Sequence, residues 1–368
     1  MNILIFVIIL LVLVLIHEFG HFFAAKKFGI RVDEFGFGFP PRLFSFKKGE
    51  TEYSFNLLPI GGFVKIFGEN PDEENTSGPD ASRSFINKSK YKQAVVLFAG
   101  VFANFLLAWF LFSFGFMSGL PTSVGNEPRG YSMADTHLVV ISVLADSPAE
   151  KAGLKSGDKI VSIQSENDVI SKINPDTLKS FIVSHGNKEL VIAYVRGETD
   201  TTVAHIAKIT PIKKFADENP SIGISMDQIG IVKLPVLTAF WEGLKLDWFV
   251  TKGTVVGLYT LIKEGIEGRG SLASITGPVG MVRIVGNAYQ FGFVYLLSFS
   301  ALISVNLAII NLIPFPALDG GRLFFLLIEK IKGSHLNPKF ANTANMVGFA
   351  VLIILMLFVT YHDVIKLF

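Results

Sequence analysis

His17-Glu18-Phe19-Gly20-His21 sets two imidazoles four residues apart with a carboxylate beside the first. On a helix, positions i and i+4 share a face, so both rings can bind one zinc ion while Glu18 stays free to act as a base on water. The motif sits in an apolar run from residue 1 to about 25, where ionisable groups are costly unless they serve a function. A charged helix end at a membrane surface is the plainer origin of such a triplet. A catalytic zinc takes three protein ligands and keeps one position open. The chain has no Cys, so the third ligand must be His, Asp, Glu or a carbonyl. No further His follows at the helical spacing used by soluble zinc peptidases. Asn311-Leu312-Ile313-Pro314-Phe315-Pro316-Ala317-Leu318-Asp319-Gly320-Gly321 offers Asp319 instead. There Pro314 and Pro316 interrupt an apolar span and Gly320-Gly321 lets the backbone turn just after the acid. A broken helix carrying an acid at membrane depth marks a binding site.

Those residues need elements that hold them in a bilayer. Half of the 368 residues are hydrophobic, 17% are charged and the net charge is +2, which argues against a soluble, disordered or nucleic-acid-binding chain. Four stretches approach the roughly 20 apolar residues that a crossing helix needs: 1–25, 94–120, 291–313 with an interrupted continuation, and 346–361. The first reads as a retained span, without a basic leader or an Ala-x-Ala exit. Lys26 and Lys27 follow it, Lys88, Lys90 and Lys92 precede the second, and Arg322, Lys330, Lys332 and Lys339 follow the third. Basic flanks face the cytoplasm, so both termini and residues 121–290 are expected outside, with Lys366 in minor opposition.

Residues 31–67 alternate Phe, Gly and other apolar positions and predict a β-hairpin that turns near Lys47-Lys48-Gly49-Glu50 and dips toward the membrane. Tyr53 and Phe55 in one strand, and the flexible Gly61 and Gly62, are expected to pair with an extended substrate segment. Outside, Leu138-Val139-Val140-Ile141-Ser142-Val143-Leu144 and 189–195 read as strands, and 147–154 as a short helix with Ser147 at its cap. The run Ser147-Pro148-Ala149-Glu150-Lys151-Ala152-Gly153-Leu154-Lys155-Ser156-Gly157-Asp158-Lys159-Ile160 resembles PDZ domains of bacterial envelope proteases over 136–210. The resemblance makes 176–184 the helix beside a peptide groove. Residues 235–266 mix Trp241 and Trp248 with Glu242, Lys245, Asp247 and Lys252, which predicts an amphipathic helix in the outer interface.

His-Glu-x-x-His in the first span, Gly61-Gly62-Phe63-Val64-Lys65, the PDZ module, Gly277-Pro278-Val279-Gly280 and Asn-x-x-Pro-x-Pro-x-Leu-Asp-Gly together resemble the site-2 protease family of intramembrane zinc metalloproteases, most closely the bacterial regulator-of-sigma-E protease type. The resemblance implies Zn2+ on His17, His21 and Asp319, Glu18 as general base, and Asn306 and Asn311 holding the substrate backbone. It also implies single-span membrane substrates, such as anti-sigma factors or signal-peptide remnants, and a bacterial inner-membrane location with no nucleic-acid partner. The expected fold is an α-helical polytopic membrane protein of four transmembrane helices, with a membrane-associated β-hairpin loop and one extracytoplasmic PDZ domain of α+β type. Its segments are helix 1 over 1–25, a cytoplasmic loop over 26–93, helix 2 over 94–120 and the PDZ domain over 121–215. A linker with the interfacial helix covers 216–290, broken helix 3 covers 291–332, a cytoplasmic loop 333–345 and helix 4 346–368. A membrane metal-ion transporter or sensor is the rival reading, but it needs no free base between two His ligands.

Overall fold

The computed structural model describes all residues except 71–75, 167, 172, 198–203, 214–218, 269–276, 291 and 366–368. Phe291, the expected start of the third span, and Lys366 lie outside the described residues. In chain order the elements are α1 (Asn2–Lys27), β1 (Val32–Lys48), β2 (Thr51–Ile66), α2 (Lys90–Ser118), β3 (Leu120–Ser123), β4 (Ala134–Val143), α3 (Pro148–Lys151), β5 (Lys159–Gln164), β6 (Val169–Ile170), α4 (Pro175–Ser184), β7 (Leu190–Val195), β8 (His205–Ile209), β9 (Ile224–Val232), α5 (Val236–Ile266), α6 (Pro278–Gln290), α7 (Phe293–Leu312), α8 (Asp319–Lys332) and α9 (Pro338–Ile365). Among them α1, α2, α7 and α9 are long and apolar enough to cross a membrane. The chain separates into two compact units. One is Met1–Phe112, Gly243–Asn287 and Ser298–Phe368; the other is Ser113–Glu242 and Ala288–Leu297.

In the first unit the foot of α1 is fixed by an apolar cluster of Ala24, Ala25, Ile30, Val32, Ile66, Phe85, Val96 and Leu97. β1 and β2 turn at Gly49, whose φ of 66° suits glycine, and Glu50. Their register is not that of a simple ladder. Tyr53 pairs with both Phe46 and Phe35, and Phe55 with both Phe44 and Phe37, whereas Phe63 and Val64 pair only with Gly36 and Phe35. The expectation that Tyr53 and Phe55 offer backbone to a substrate is therefore corrected. Both of their sides are occupied, because β2 folds back near Gly61 and returns along the far side of β1.

The helix expected to lie in the interface is α5, and it packs along one face. Leu246, Val250 and Leu258 of α5 pack against Ala108 and Phe112 of α2 and Ala301, Val305 and Ile309 of α7. Trp241 and Trp248 stay exposed. The apolar residues at 246, 250 and 258, with Thr254 between them, form an i, i+4 seam that the neighbouring charges obscure in the sequence. The broken third span resolves into α7, a turn over 313–318, and α8.

The second unit holds a sheet in the order β3-β9-β4-β5-β7-β8, with β6 against β5. Its core includes Leu138, Val140, Leu154, Ile160, Leu178, Phe181, Leu190, Ile192 and Ile222. Ser147 Oγ accepts from the Glu150 amide at 3.1 Å, and Asn174 and Thr177 form a capping box that starts α4. The expected boundary at 215 falls short. β9 lies between β3 and β4, and this pairing across a long stretch of chain leaves no local signal. The glycine-containing loop before the strand that faces α4 is 219–223. With 224–226 and α4 it lines a groove. The unit closes where the Leu234 amide donates to the Phe116 carbonyl at 2.9 Å.

Candidate metal centre

His17 and His21 fall one helical turn apart on α1, both buried in an otherwise apolar helix. The turn after α7 brings Asp319 opposite them. His17 Nε2 and His21 Nε2 are 3.2 Å apart, and Asp319 Oδ2 stands 3.0 Å from the first and 3.2 Å from the second. Donors that share a tetrahedral zinc at about 2.0–2.1 Å stand roughly 3.3–3.4 Å apart. The triangle therefore fits that ion.

The hydrogen bonds explain why the triangle needs a cation. His21 Nδ1 lies 2.8 Å from the Val96 carbonyl and must donate to it, which leaves Nε2 as a lone pair aimed at the other two ligands. Asp319 Oδ2 is buried without a hydrogen bond. Three acceptors crowded together in an apolar span repel one another unless a metal lies between them. His17 follows the same logic through Asn104, whose side-chain amide is 3.4 Å from His17 Nδ1. With His17 Nε2 facing the other ligands, Nδ1 carries the proton, and the Asn104 amide turned over accepts from it through Oδ1.

α2 approaches closely enough to do this because both helices are bare at the crossing. A Cβ on Gly20 would lie 2.3 Å from the Ala99 carbonyl oxygen, and one on Gly100 would lie 2.3 Å from His21 Nε2. Ser304 Oγ on α7 donates to the Asn104 carbonyl at 2.8 Å, which ties α7 to the same point. Asp319 opens α8, where Gly320 and Gly321 admit the carbonyls of Leu312, Ile313 and Phe315 against the first turn.

Of the other expected residues, Glu18 lies beside the metal ligands. Gly62 meets it: a Cβ there would be 3.8 Å from Glu18 Cγ. Gly61 precedes it at a φ of 102°. Tyr53 and Phe55 belong to the aromatic stack instead, Tyr53 against Phe22 and Phe46, and Phe55 between Phe44 and Phe37. Asn306 and Asn311 are half-buried on α7. Asn306 Oδ1 accepts from Thr254 Oγ1 of α5 at 3.0 Å.

Sequence reasoning missed Val96, Gly100 and Asn104 as supports. A small-residue stripe with a polar side chain inside an apolar span could have flagged the last two. It also treated Arg322 only as flanking charge, whereas Arg322 is ion-paired with Glu69 and lies near Glu18.

A model of the family described as peptidase family M50 matches residues 5–355. A protein of Clostridium acetobutylicum is 34% identical over 367 residues, covering 99% of this chain and 97% of its own length. Regulator of sigma-W protease RasP of Bacillus subtilis is 30% identical over 450 residues, and zinc metalloprotease RasP of Bacillus licheniformis 30% over 445. Each match covers 99% of this chain and 98% of the relative.

Proposed function

This chain belongs to peptidase family M50, the site-2 protease family, and from that premise we propose an intramembrane endopeptidase that cuts peptide bonds within the transmembrane segments of other membrane proteins. It is a zinc metalloprotease and a multi-pass membrane protein. The observation that carries the proposal is the triangle of His17 and His21, on the mostly apolar α1, with Asp319 at the start of α8, beside Glu18. His17, His21 and Asp319 would hold Zn2+, which when bound acts as a Lewis acid on the scissile carbonyl and makes water acidic. Glu18 takes the proton from water and returns it to the departing amine, a contribution of about 10²–10⁴-fold. Val96 and Asn104 keep both imidazoles oriented through the cycle.

A substrate helix hides its carbonyls in internal hydrogen bonds and must be extended before attack. Gly62 and Phe63 supply a strand edge next to Glu18, whose carboxylate accepts from the Val64 backbone, and an extended segment can be held there. Asn306 and Asn311 on α7 would hold its backbone, with Thr254 fixing the first amide. Exposed Leu43, Phe44, Phe46, Leu57 and Leu58 suit a β1–β2 sheet immersed in lipid. The Lys/Arg placement supports a metal site near the cytoplasmic side, with both termini and a PDZ-type second unit outside.

The groove lined by Asp176, Lys179, Ile182, Gly223 and Ile224 suits capture or exclusion of substrate ectodomains. Anti-sigma factors and signal-peptide remnants are the candidate single-span substrates. The sigma-W name of the Bacillus subtilis relative supports the first. The test is Glu18→Gln in purified protein, read by metal content and by cleavage of a model transmembrane peptide. Full zinc with cleavage reduced by at least about 10²-fold is expected; zinc loss, or wild-type turnover, would sink the assignment of Glu18.

A further inference from the structure

The turn that delivers Asp319 is held in a conformation its own sequence does not favour. Ala317 has a φ of 77°, a left-handed backbone that an alanine adopts only when its surroundings impose it. The surroundings here come from α9. Asn345 Oδ1 accepts from the Ala317 amide at 3.2 Å. Three residues on, on the same face of the helix, Gly348 presses on the turn: a Cβ there would lie 2.5 Å from the Pro316 carbonyl oxygen and 2.8 Å from Pro316 Cβ. Along α9 only Gly348 and Asp363 are buried, so the fourth span touches its unit at few places, and this is one.

On the other side, the turn is closed by the Leu318 amide donating to Phe315 and by Gly321 admitting the Phe315 carbonyl. Between these two holds lies the backbone rotation at Ala317. That rotation decides whether Leu318 hands Asp319 to the histidines.

We propose that Asn345, backed by Gly348, is a positioning residue that sets the third metal ligand by clamping Ala317 in its left-handed state. The inference rests on the reading of Asp319 as that ligand. It makes metal retention a property of the fourth span, which contributes no ligand itself. Withdrawal of α9 frees Ala317 to relax to a right-handed backbone, and Asp319 then leaves the triangle.

The experiment measures the rate at which zinc passes from the purified full-length protein to a chromophoric chelator. Wild type is compared with Asn345→Ala, Asn345→Asp, the pair Asn345→Ala/Ala317→Gly, and Asp319→Ala as reference. Asn345→Ala should lose zinc about tenfold faster. Asn345→Asp keeps the acceptor and should stay within about twofold of wild type. The pair should recover most of the retention, because glycine takes the left-handed state unaided; a residue that merely supported the fold would show no such rescue.

Wild-type retention in Asn345→Ala while Asp319→Ala loses zinc overturns the clamp alone, as does a double variant no better than the single. Wild-type retention in Asp319→Ala overturns the ligand reading and the clamp with it. If Asn345→Ala is recovered unfolded, Gly348→Ala, which forces α9 off Pro316, is measured in its place and read in the same way.

Discussion

Gly100 has no side chain, yet it decides where His21 can stand. An added methyl would meet Nε2 at 2.3 Å, well inside contact distance, so the ring must rotate or α2 must retreat. Gly100→Ala should therefore lower zinc affinity by more than about tenfold while the apolar clusters keep the protein folded. Chelator competition beside a thermal scan checks this, and wild-type affinity would count against the assigned ring position. Asn104→Ala removes the acceptor for His17 Nδ1 and should cost about 10–100-fold in metal affinity, the usual effect of losing a partner of a ligating His. The grouping of His17, His21 and Asp319 was legible because its signals are local: one helical turn for the histidines, two prolines and two glycines around Asp319. Val96, Asn104 and the Arg322–Glu69 pair were not. Their roles depend on the register between separate elements, which no single segment encodes.

At the scale of elements, the strand edge beside Glu18 gives a contrast between two substitutions. Gly62→Val puts bulk against the Gly36 carbonyl, Leu15 and Glu18, which a Cβ would meet at 3.0, 3.3 and 3.8 Å. It should stop peptide cleavage with zinc retained. Tyr53→Leu should change cleavage by less than about threefold, since the backbone there is already paired on both sides. Cleavage of one transmembrane peptide by both variants decides it, and the reverse order of effects would return the substrate edge to Tyr53.

The turn of the same sheet carries a pH dependence. Lys26, first, and then Arg83 hold the Glu50 carboxyl below its ordinary value near 4.5, each at 2.6 Å. A depressed carboxylate stabilises above its unfolded value and loses that stabilisation as pH falls through the folded one. Hydrogen exchange over 47–50 should accelerate in wild type only below about pH 4.5, and in Glu50→Gln already at neutral pH. An equal rate in both proteins at neutral pH would deny the link. The hairpin pattern was readable from its alternation, whereas the return of β2 across β1 was not, because Gly61 marks a bend without saying which strand lies beyond it. The packing of α5 was hidden for a related reason: Lys245, Asp247 and Lys252 mask a seam visible only once its partners are present.

At the scale of the molecule, the inclusion of β9 in the second unit changes how that unit should be removed. A deletion over 136–210 would leave the β3–β9 pair without β4 and the rest of the sheet, whereas one from Leu120 to Val232 takes the sheet whole. With a short linker the latter should keep zinc and cleave a substrate lacking its ectodomain. It should also admit one that still carries its ectodomain, if the groove beside α4 acts as a filter. Unchanged discrimination would place the filter elsewhere. The hydrogen bond between Leu234 and Phe116 has a consequence for assembly as well. A disordered insert of roughly 120 residues would charge the membrane part about 4 kcal/mol of loop-closure entropy to bring α2 and α5 together. The folded unit closes that loop itself, so the end of α2 and the start of α5 emerge already side by side. The second unit thus serves as an entropic staple during biogenesis, whatever it later binds.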